Sequence, residues 1–331
     1  MAATTAGAHH AIRWLNRRQL LIVVYHGVCE GSPAADEPGW HLIPVDRFRA
    51  QIEYLARHYD IVPVDQAIEA LARGALRRPT ACLTFDDGYA NNGTLAFPVL
   101  QRYAAPATIY LATGLIGTER RLWTLRLEIA LRRSEVRQLD LSVIGLGVVS
   151  PLGLHGRVGL AQTISRVLKR RAPAARDAAL ASIHAQLPDD GTDRSGAFRM
   201  MTWDAALALE RTGLITFGGH TIHHELVARL DDGALESEIC GSVAELNSRL
   251  ARPSRTFAYP NGDVGDFDAR AVPVLRKAGA VAALTTIPGL NATAAEPWTL
   301  RRVTVDGYTD LHRFRLITAG VVLKRPGWLQ R

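Results

Sequence analysis

The sequence predicts an α/β protein whose parallel strands close into a barrel related to the (β/α)8 type. Three observations lead there. Short apolar runs rich in β-branched residues recur along the chain, as buried parallel strands require. Segments with helical spacing separate them, the alternation that covers a parallel sheet with helices. Seven or eight such runs fall in one chain of 331 residues, 47% of them hydrophobic. That length suits one barrel or two ordinary domains, and the regular alternation favours the barrel.

The expected strands run over 20–28, 60–64, 80–85, 107–112, 214–218, 256–259, 281–285 and 300–305. Between the first two, Phe48, Ile52, Leu55 and Tyr59 recur at helical spacing behind Asp46, which is read as the N-cap. Later, Leu235, Ile239, Val243, Leu246 and Leu250 form one stripe of a helix that Asp232 and Gly233 introduce and Pro253 stops. The stretch 118–200 breaks the rhythm. It is rich in Ala, Arg, Leu and Gly, with helices expected near 125–139, 158–171 and 174–187, a turn at Pro188-Asp189-Asp190-Gly191-Thr192, and a capped helix from Thr202. The chain therefore divides into an amino-terminal segment (1–19), the first part of the barrel (20–117), a mainly helical insertion (118–200), the second part (201–310) and a tail (311–331). An insertion after a barrel strand sits over the catalytic mouth or beside it, or packs as a second layer clear of the substrate.

The formal charge of +7 favours an anionic partner. Its arginines are scattered as pairs such as Arg17-Arg18, Arg77-Arg78 and Arg170-Arg171, without a basic helix or an aromatic-rich strand motif, so no nucleic-acid partner is expected. Cys29, Cys82 and Cys240 are too few and too far apart for a disulfide framework or a zinc knuckle, which points to a reducing compartment. The apolar run 20–25 is too short for a signal-peptide core, and no run approaches the ~18–20 apolar residues of a membrane span. A cytoplasmic protein is expected, with its positive charge as a means of peripheral attachment to the inner membrane.

Three short segments can carry chemistry. Thr84-Phe85-Asp86-Asp87-Gly88-Tyr89 puts two carboxylates where a buried strand ends, the active face of a barrel. Adjacent residues on a strand point in different directions, so one carboxylate can bind a metal while the other addresses water; alone, the same triplet is also a common surface turn. Gly218-Gly219-His220-Thr221-Ile222-His223-His224-Glu225 brings His220 and His224 four residues apart, so on a helical turn their rings can share one metal, with Asp87 as a third ligand and a position open for water. His223 competes with them, since His220 and His223 at spacing three are also close. Phe257-Ala258-Tyr259-Pro260-Asn261-Gly262-Asp263 is a strand followed by a tight turn whose amides can aim at an oxyanion.

In this order the three segments resemble the polysaccharide deacetylase family, carbohydrate esterase family four. Its Thr-Phe-Asp-Asp-Gly motif matches Thr84 to Gly88, and its His-(Ser/Thr)-x-x-His motif matches His220 to His224. Tyr25-His26-Gly27-Val28 and Trp203-Asp204 look like the bacterial exopolysaccharide branch. The resemblance implies a distorted (β/α)7–8 barrel and a metal-dependent hydrolase acting on an acetylated glycan. It assigns Asp87, His220 and His224 to one divalent ion, Zn2+ first, with Co2+ or Ni2+ as alternatives, and Asp86 to the general base. The ion activates water and polarises the acetamide carbonyl, and the backbone amide of Asn261 helps to stabilise the oxyanion. His26, Tyr259 and Pro260 are assigned as substrate contacts. Where the family often carries an arginine, this chain has Ala258; Arg302, in a late Leu300-Arg301-Arg302-Val303 segment, is the expected substitute as partner of Asp86, against the alternative of a surface charge beside Arg301. Asp310-Leu311-His312 is out of register with the family's late Leu-x-His motif, so no general acid is assigned. An O-acetyl esterase, an amidohydrolase of a non-carbohydrate amide and a silent glycan-binding module are the other readings of the same residues.

Overall fold

The computed structural model describes residues 7–150, 153–188, 191–192 and 194–321. Residues 1–6 of the amino-terminal segment, Asp189 and Asp190 of the expected turn, and 322–331 of the tail lie outside the described residues. Eight strands form the central sheet: β1 (Leu20–Tyr25), β2 (Asp60–Ile61), β3 (Thr80–Phe85), β4 (Ala107–Leu111), β5 (Ile215–Gly219), β6 (Thr256–Ala258), β7 (Ala282–Leu284) and β8 (Val303–Thr304). Their order is β7-β6-β5-β4-β3-β1-β8, with β2 paired to the first two residues of β3, and all pairings are parallel. A parallel bridge from Leu284 to Leu300 links the segment before β8 back to β7, so the sheet curls into a distorted barrel. Each expected strand has its counterpart here.

Side-chain alternation separates the inside of the barrel from its outer wall. Leu20, Ile22, Cys82, Tyr110, Ala258, Leu284 and Leu300 meet in one cluster drawn from six strand regions. The alternate residues Leu21, Val23, Tyr25, Leu83, Phe85 and Ile109 pack outward among Phe48, Ile52 and Leu55 of helix Val45–His58. That helix starts at Val45, with Pro44 at its N-cap and no side-chain cap; Asp46 lies one position inside and pairs with Arg49 at 2.5 Å. The capping role expected of Asp46 is therefore replaced by favourable charge in the first turn. Thr202 does cap helix Trp203–Arg211, and Asp231 caps helix Asp232–Arg249.

The expected strand over 20–28 is cut at His26. Gly27–Cys29 leaves the barrel and pairs in parallel with Leu42–Pro44. The cut has local causes: the His26 carbonyl is taken by Asn92 Nδ2 at 2.7 Å, and Gly27 N donates to the His41 carbonyl at 2.9 Å. A Cβ at Gly27 would stand 2.6 Å from Leu42 Cδ2, so a larger residue here would have to displace the Leu42 side chain.

Helices Trp123–Arg133, Gly153–Leu168 and Pro173–His184 occupy the irregular stretch, with an antiparallel pair Leu139–Asp140 and Val148–Val149. The first helix stops short of 139 because Ser134 turns extended and leads into that pair. Leu127, Leu131, Ile164, Leu168, Leu180 and Ile183 bury a small core of their own; each contributes roughly 1.5–3 kcal/mol by burial.

Candidate metal centre and active site

The carboxyl ends of the strands bring the chemistry together. Cys82 and Thr84 face inward on β3, and Asp86 continues that side just beyond the strand end. There Arg302 grips its carboxylate with both terminal nitrogens, Nη1 to Oδ1 and Nη2 to Oδ2, each at 2.7 Å. Arg302 is wholly buried; its Nε donates to the Thr285 carbonyl at 2.7 Å and Nη1 to Thr84 Oγ1 at 3.3 Å. Burial by itself would raise the Asp86 carboxyl, but the Arg302 charge beside it, helped by His220, holds it below the usual carboxylate value.

Asp87 has the opposite surroundings. Its backbone is left-handed, with φ 74°, which turns the side chain away from Asp86 and toward the histidines. Oδ1 lies 3.5 Å from His220 Nε2 and 3.3 Å from His224 Nε2, and neither Asp87 oxygen has a hydrogen-bond partner among the described residues. Burial would raise this carboxyl too, yet the two imidazoles hold it well below the usual range. His220 Nδ1 lies 2.7 Å from the Ala258 carbonyl, so Nδ1–H donates there and the Nε2 lone pair faces Asp87. Burial lowers the affinity of His220 for a proton, but Asp86 and then Asp87 outweigh it and the ring is raised above its ordinary value.

His220 and His224 reach this geometry on an irregular loop, not the helical turn expected from their spacing. Thr221 and His224 have φ of 58° and 60°, and the rings meet edge to face with centroids 4.8 Å apart. Glu238 imposes the shape: its Oε2 accepts from the amides of Ile222 and His223 at 2.8 and 2.9 Å, while Oε1 takes His223 Nδ1 at 2.6 Å. His223 is thereby turned away from Asp87. Four of the five non-glycine residues with positive φ among those described are Asp87, Thr221, His224 and Asn261. Such conformations cost about 1–3 kcal/mol each and collect where geometry serves a site.

The donor set fits a divalent cation. The ligand atoms of Asp87, His220 and His224 lie within 4.8 Å of one another. A buried carboxylate that receives no hydrogen bond is costly, and an ion taking one oxygen and two imidazole nitrogens satisfies it; this mixture suits zinc and its neighbours.

His26 stands at the same mouth, its proton affinity lowered by burial. Beside it is His41, which no motif or spacing singles out. Its ring lies against Trp40, 3.4 Å between centroids, and 5.1 Å from that of His26, and both its nitrogens are buried with no hydrogen-bond partner among the described residues. Ligand atoms of His26, His41 and Asp87 also fall within 4.8 Å. Trp40-His41 sits in a loop without periodicity, so only the fold could place it here.

Asn261 follows β6 with φ 57°; its carbonyl accepts from Thr286 Oγ1 at 2.5 Å, and Gly262 N donates to the Pro260 carbonyl at 2.7 Å. Tyr259 and Pro260, expected as substrate contacts, are both buried. The Tyr259 ring stacks on Phe267 at 4.3 Å inside an apolar cluster. His312 is exposed on helix Leu311–Thr318, which Asp310 caps.

Residues 73–147 and 160–283 match the model of the polysaccharide deacetylase family. The chain belongs to the polysaccharide deacetylase family. Among curated proteins it is similar to one from Bacillus subtilis (strain 168) named for a polysaccharide deacetylase, YxkH, at 26% identity over 106 residues, 31% of this chain. That match spans about a third, 36%, of the relative's own length. Among solved structures, this deacetylase-family chain is similar to Streptococcus pyogenes deacetylase PplD in complex with acetate, with TM-score 0.59 and 16% identity over 91% of this chain and 98% of that one. IcaB from Ammonifex degensii gives TM-score 0.59 and 18% identity, covering 91% and 97%. The de-N-acetylase from Aggregatibacter actinomycetemcomitans gives 0.55 and 15%, covering 90% and 99%. At these identities the likeness is one of fold, and the fold is the deacetylase barrel.

Proposed function

We propose that this protein is a metal-dependent hydrolase that removes the acetyl group from an N-acetylated sugar, oligosaccharide or polysaccharide precursor. The observation that carries it is the contrast between the neighbours Asp86, gripped by Arg302, and Asp87, without a hydrogen-bond partner among the described residues and faced by His220 and His224. Asp87, His220 and His224 would hold a divalent ion, Zn2+ by preference, and the ion when bound supplies Lewis acidity toward the acetyl carbonyl and water. Asp86, kept ionised by Arg302, accepts the proton of the attacking water; a carboxylate oxygen has two lone pairs, so the arginine leaves one for this purpose. The Asn261 backbone N–H donates to the oxygen that gains charge. His26 borders the space where the sugar must enter. Acetate and a free amine are the products. The choice of an N-acetyl group is supported by the fold shared with a protein named as a de-N-acetylase, and that of an exopolysaccharide-type substrate by the fold shared with IcaB. Free Cys29, Cys82 and Cys240 are consistent with a reducing compartment, and we propose the cytoplasm as the place of reaction.

The test is acetate release from a panel of N-acetylated and O-acetylated sugars, with zinc-loaded protein, chelator-stripped protein and Asp86→Asn, alongside metal content of each variant. Release that requires both metal and Asp86, with metal retained in Asp86→Asn and lost in Asp87→Ala, is the expected result. Release confined to O-acetyl groups makes the enzyme an esterase. Silence across the panel from protein with metal bound overturns the assignment to sugars.

A further inference from the structure

Three contacts tie the inserted helices to the two loops that carry His224 and Asn261. Arg176, on helix Pro173–His184, grips Glu225, the residue after His224, with Nη2 to Oε1 at 2.7 Å, and both side chains are buried. Arg229 Nε donates to the carbonyl of Lys169 at 3.3 Å, fixing the end of helix Gly153–Leu168 over the barrel mouth. From there Lys169 Nζ donates to Asn261 Oδ1 at 3.2 Å.

The last contact matters because of what Asn261 is. Its loop is held from within the barrel through its backbone, by Thr286 Oγ1 on the Asn261 carbonyl and by Thr286 N on the Gly262 carbonyl at 2.8 Å. Its backbone is left-handed at 57°, a conformation that asparagine tolerates but does not prefer. The side chain is held by the insertion. With Oδ1 taken by Lys169, the amide plane is fixed, and Nδ2 is buried without a partner among the described residues.

We infer that Lys169 is a positioning residue: the insertion uses it to hold Asn261 so that the Asn261 N–H meets the developing oxyanion. The inference rests on the deacetylase reading for its chemistry. Lys169 acts through Asn261. An oxyanion donor is worth ~10²–10³ in turnover, and a displacement near 1 Å can forfeit about 10²-fold. Lys169→Met is therefore expected to lower kcat about tenfold or more while leaving KM within about twofold, because the donor matters most once charge has formed. Lys169→Arg, which keeps a cationic donor, is expected to recover most of the loss. In an Asn261→Ala background, Lys169→Met is expected to have no further effect.

A second measurement does not depend on turnover. Hydrogen exchange at Gly262 N and Thr286 N, the amides that close the loop, is expected to quicken at least tenfold in Lys169→Met, with the thermal midpoint unchanged. An active wild type with kcat intact in Lys169→Met overturns the positioning role. If the wild type releases no acetate, the deacetylase reading falls, and the exchange rates still decide: quickening supports the Lys169–Asn261 coupling, and equal rates overturn it.

Discussion

Arg301 and Arg302 are identical in chemistry and adjacent in sequence, yet one is exposed and the other wholly buried. Alternation at the entry to β8 sends the first outward, to the Pro288 carbonyl, and the second inward, to Asp86. This is why the sequence left Arg302 between an active-site role and a surface charge: periodicity fixes that the two point apart, but not which points in. The pairing has a thermodynamic signature. Removing one partner of a buried ion pair costs about 3–5 kcal/mol, so Arg302→Met should be clearly less stable than wild type in denaturant titrations near neutral pH. The folded Asp86 carboxyl lies below its ordinary value, so its contribution is fully present above the unfolded value near ~3.9 and is lost as pH falls through the lower folded one. In Arg302→Met burial raises the same carboxyl instead, so the stability gap between wild type and Arg302→Met should start to narrow as pH falls through that raised value and go on shrinking through the ordinary carboxylate range. A gap constant down to pH 3 contradicts the linkage.

Strands were the most legible elements, because a buried parallel strand writes itself as a continuous apolar run and each of the eight runs became one. The histidine loop was legible as chemistry but not as shape. Spacing four suggests a helical turn, and what replaces it is the Glu238 carboxylate, supplied from helix Asp232–Arg249 and invisible to any local pattern. The same distance in sequence hid His41 and the grip of Arg176 on Glu225. Glu238 orients a ligand loop without touching Asp87, the position from which outer partners typically alter metal affinity 10–100-fold. Glu238→Ala should weaken zinc binding about 10–100-fold in competition with a chromogenic chelator. Unchanged affinity would mean that the left-handed residues hold the loop unaided.

At the scale of the whole molecule, the proposed ion joins β3 to the loop after β5, two segments far apart in the chain. A ligand that binds only the folded state stabilises it by mass action, by about 2.7 kcal/mol at a hundredfold excess over Kd. Zinc should therefore raise the unfolding midpoint of the wild type in a concentration-dependent way and leave Asp87→Ala unmoved; equal shifts in both would place the stabilising ion elsewhere.

The anchoring of the helices between β4 and β5 also bears on inheritance and on engineering. Arg176 and Lys169 lie in the helical stretch between β4 and β5, and their counterparts Glu225 and Asn261 lie in the loops after β5 and β6. A chimera that exchanges the helical segment between relatives while keeping the barrel strands the buried Glu225 carboxylate unless all four residues are carried over together. The graft boundary that looks simplest on the sequence, at the ends of 118–200, separates the two sides of both contacts that hold the loops after β5 and β6.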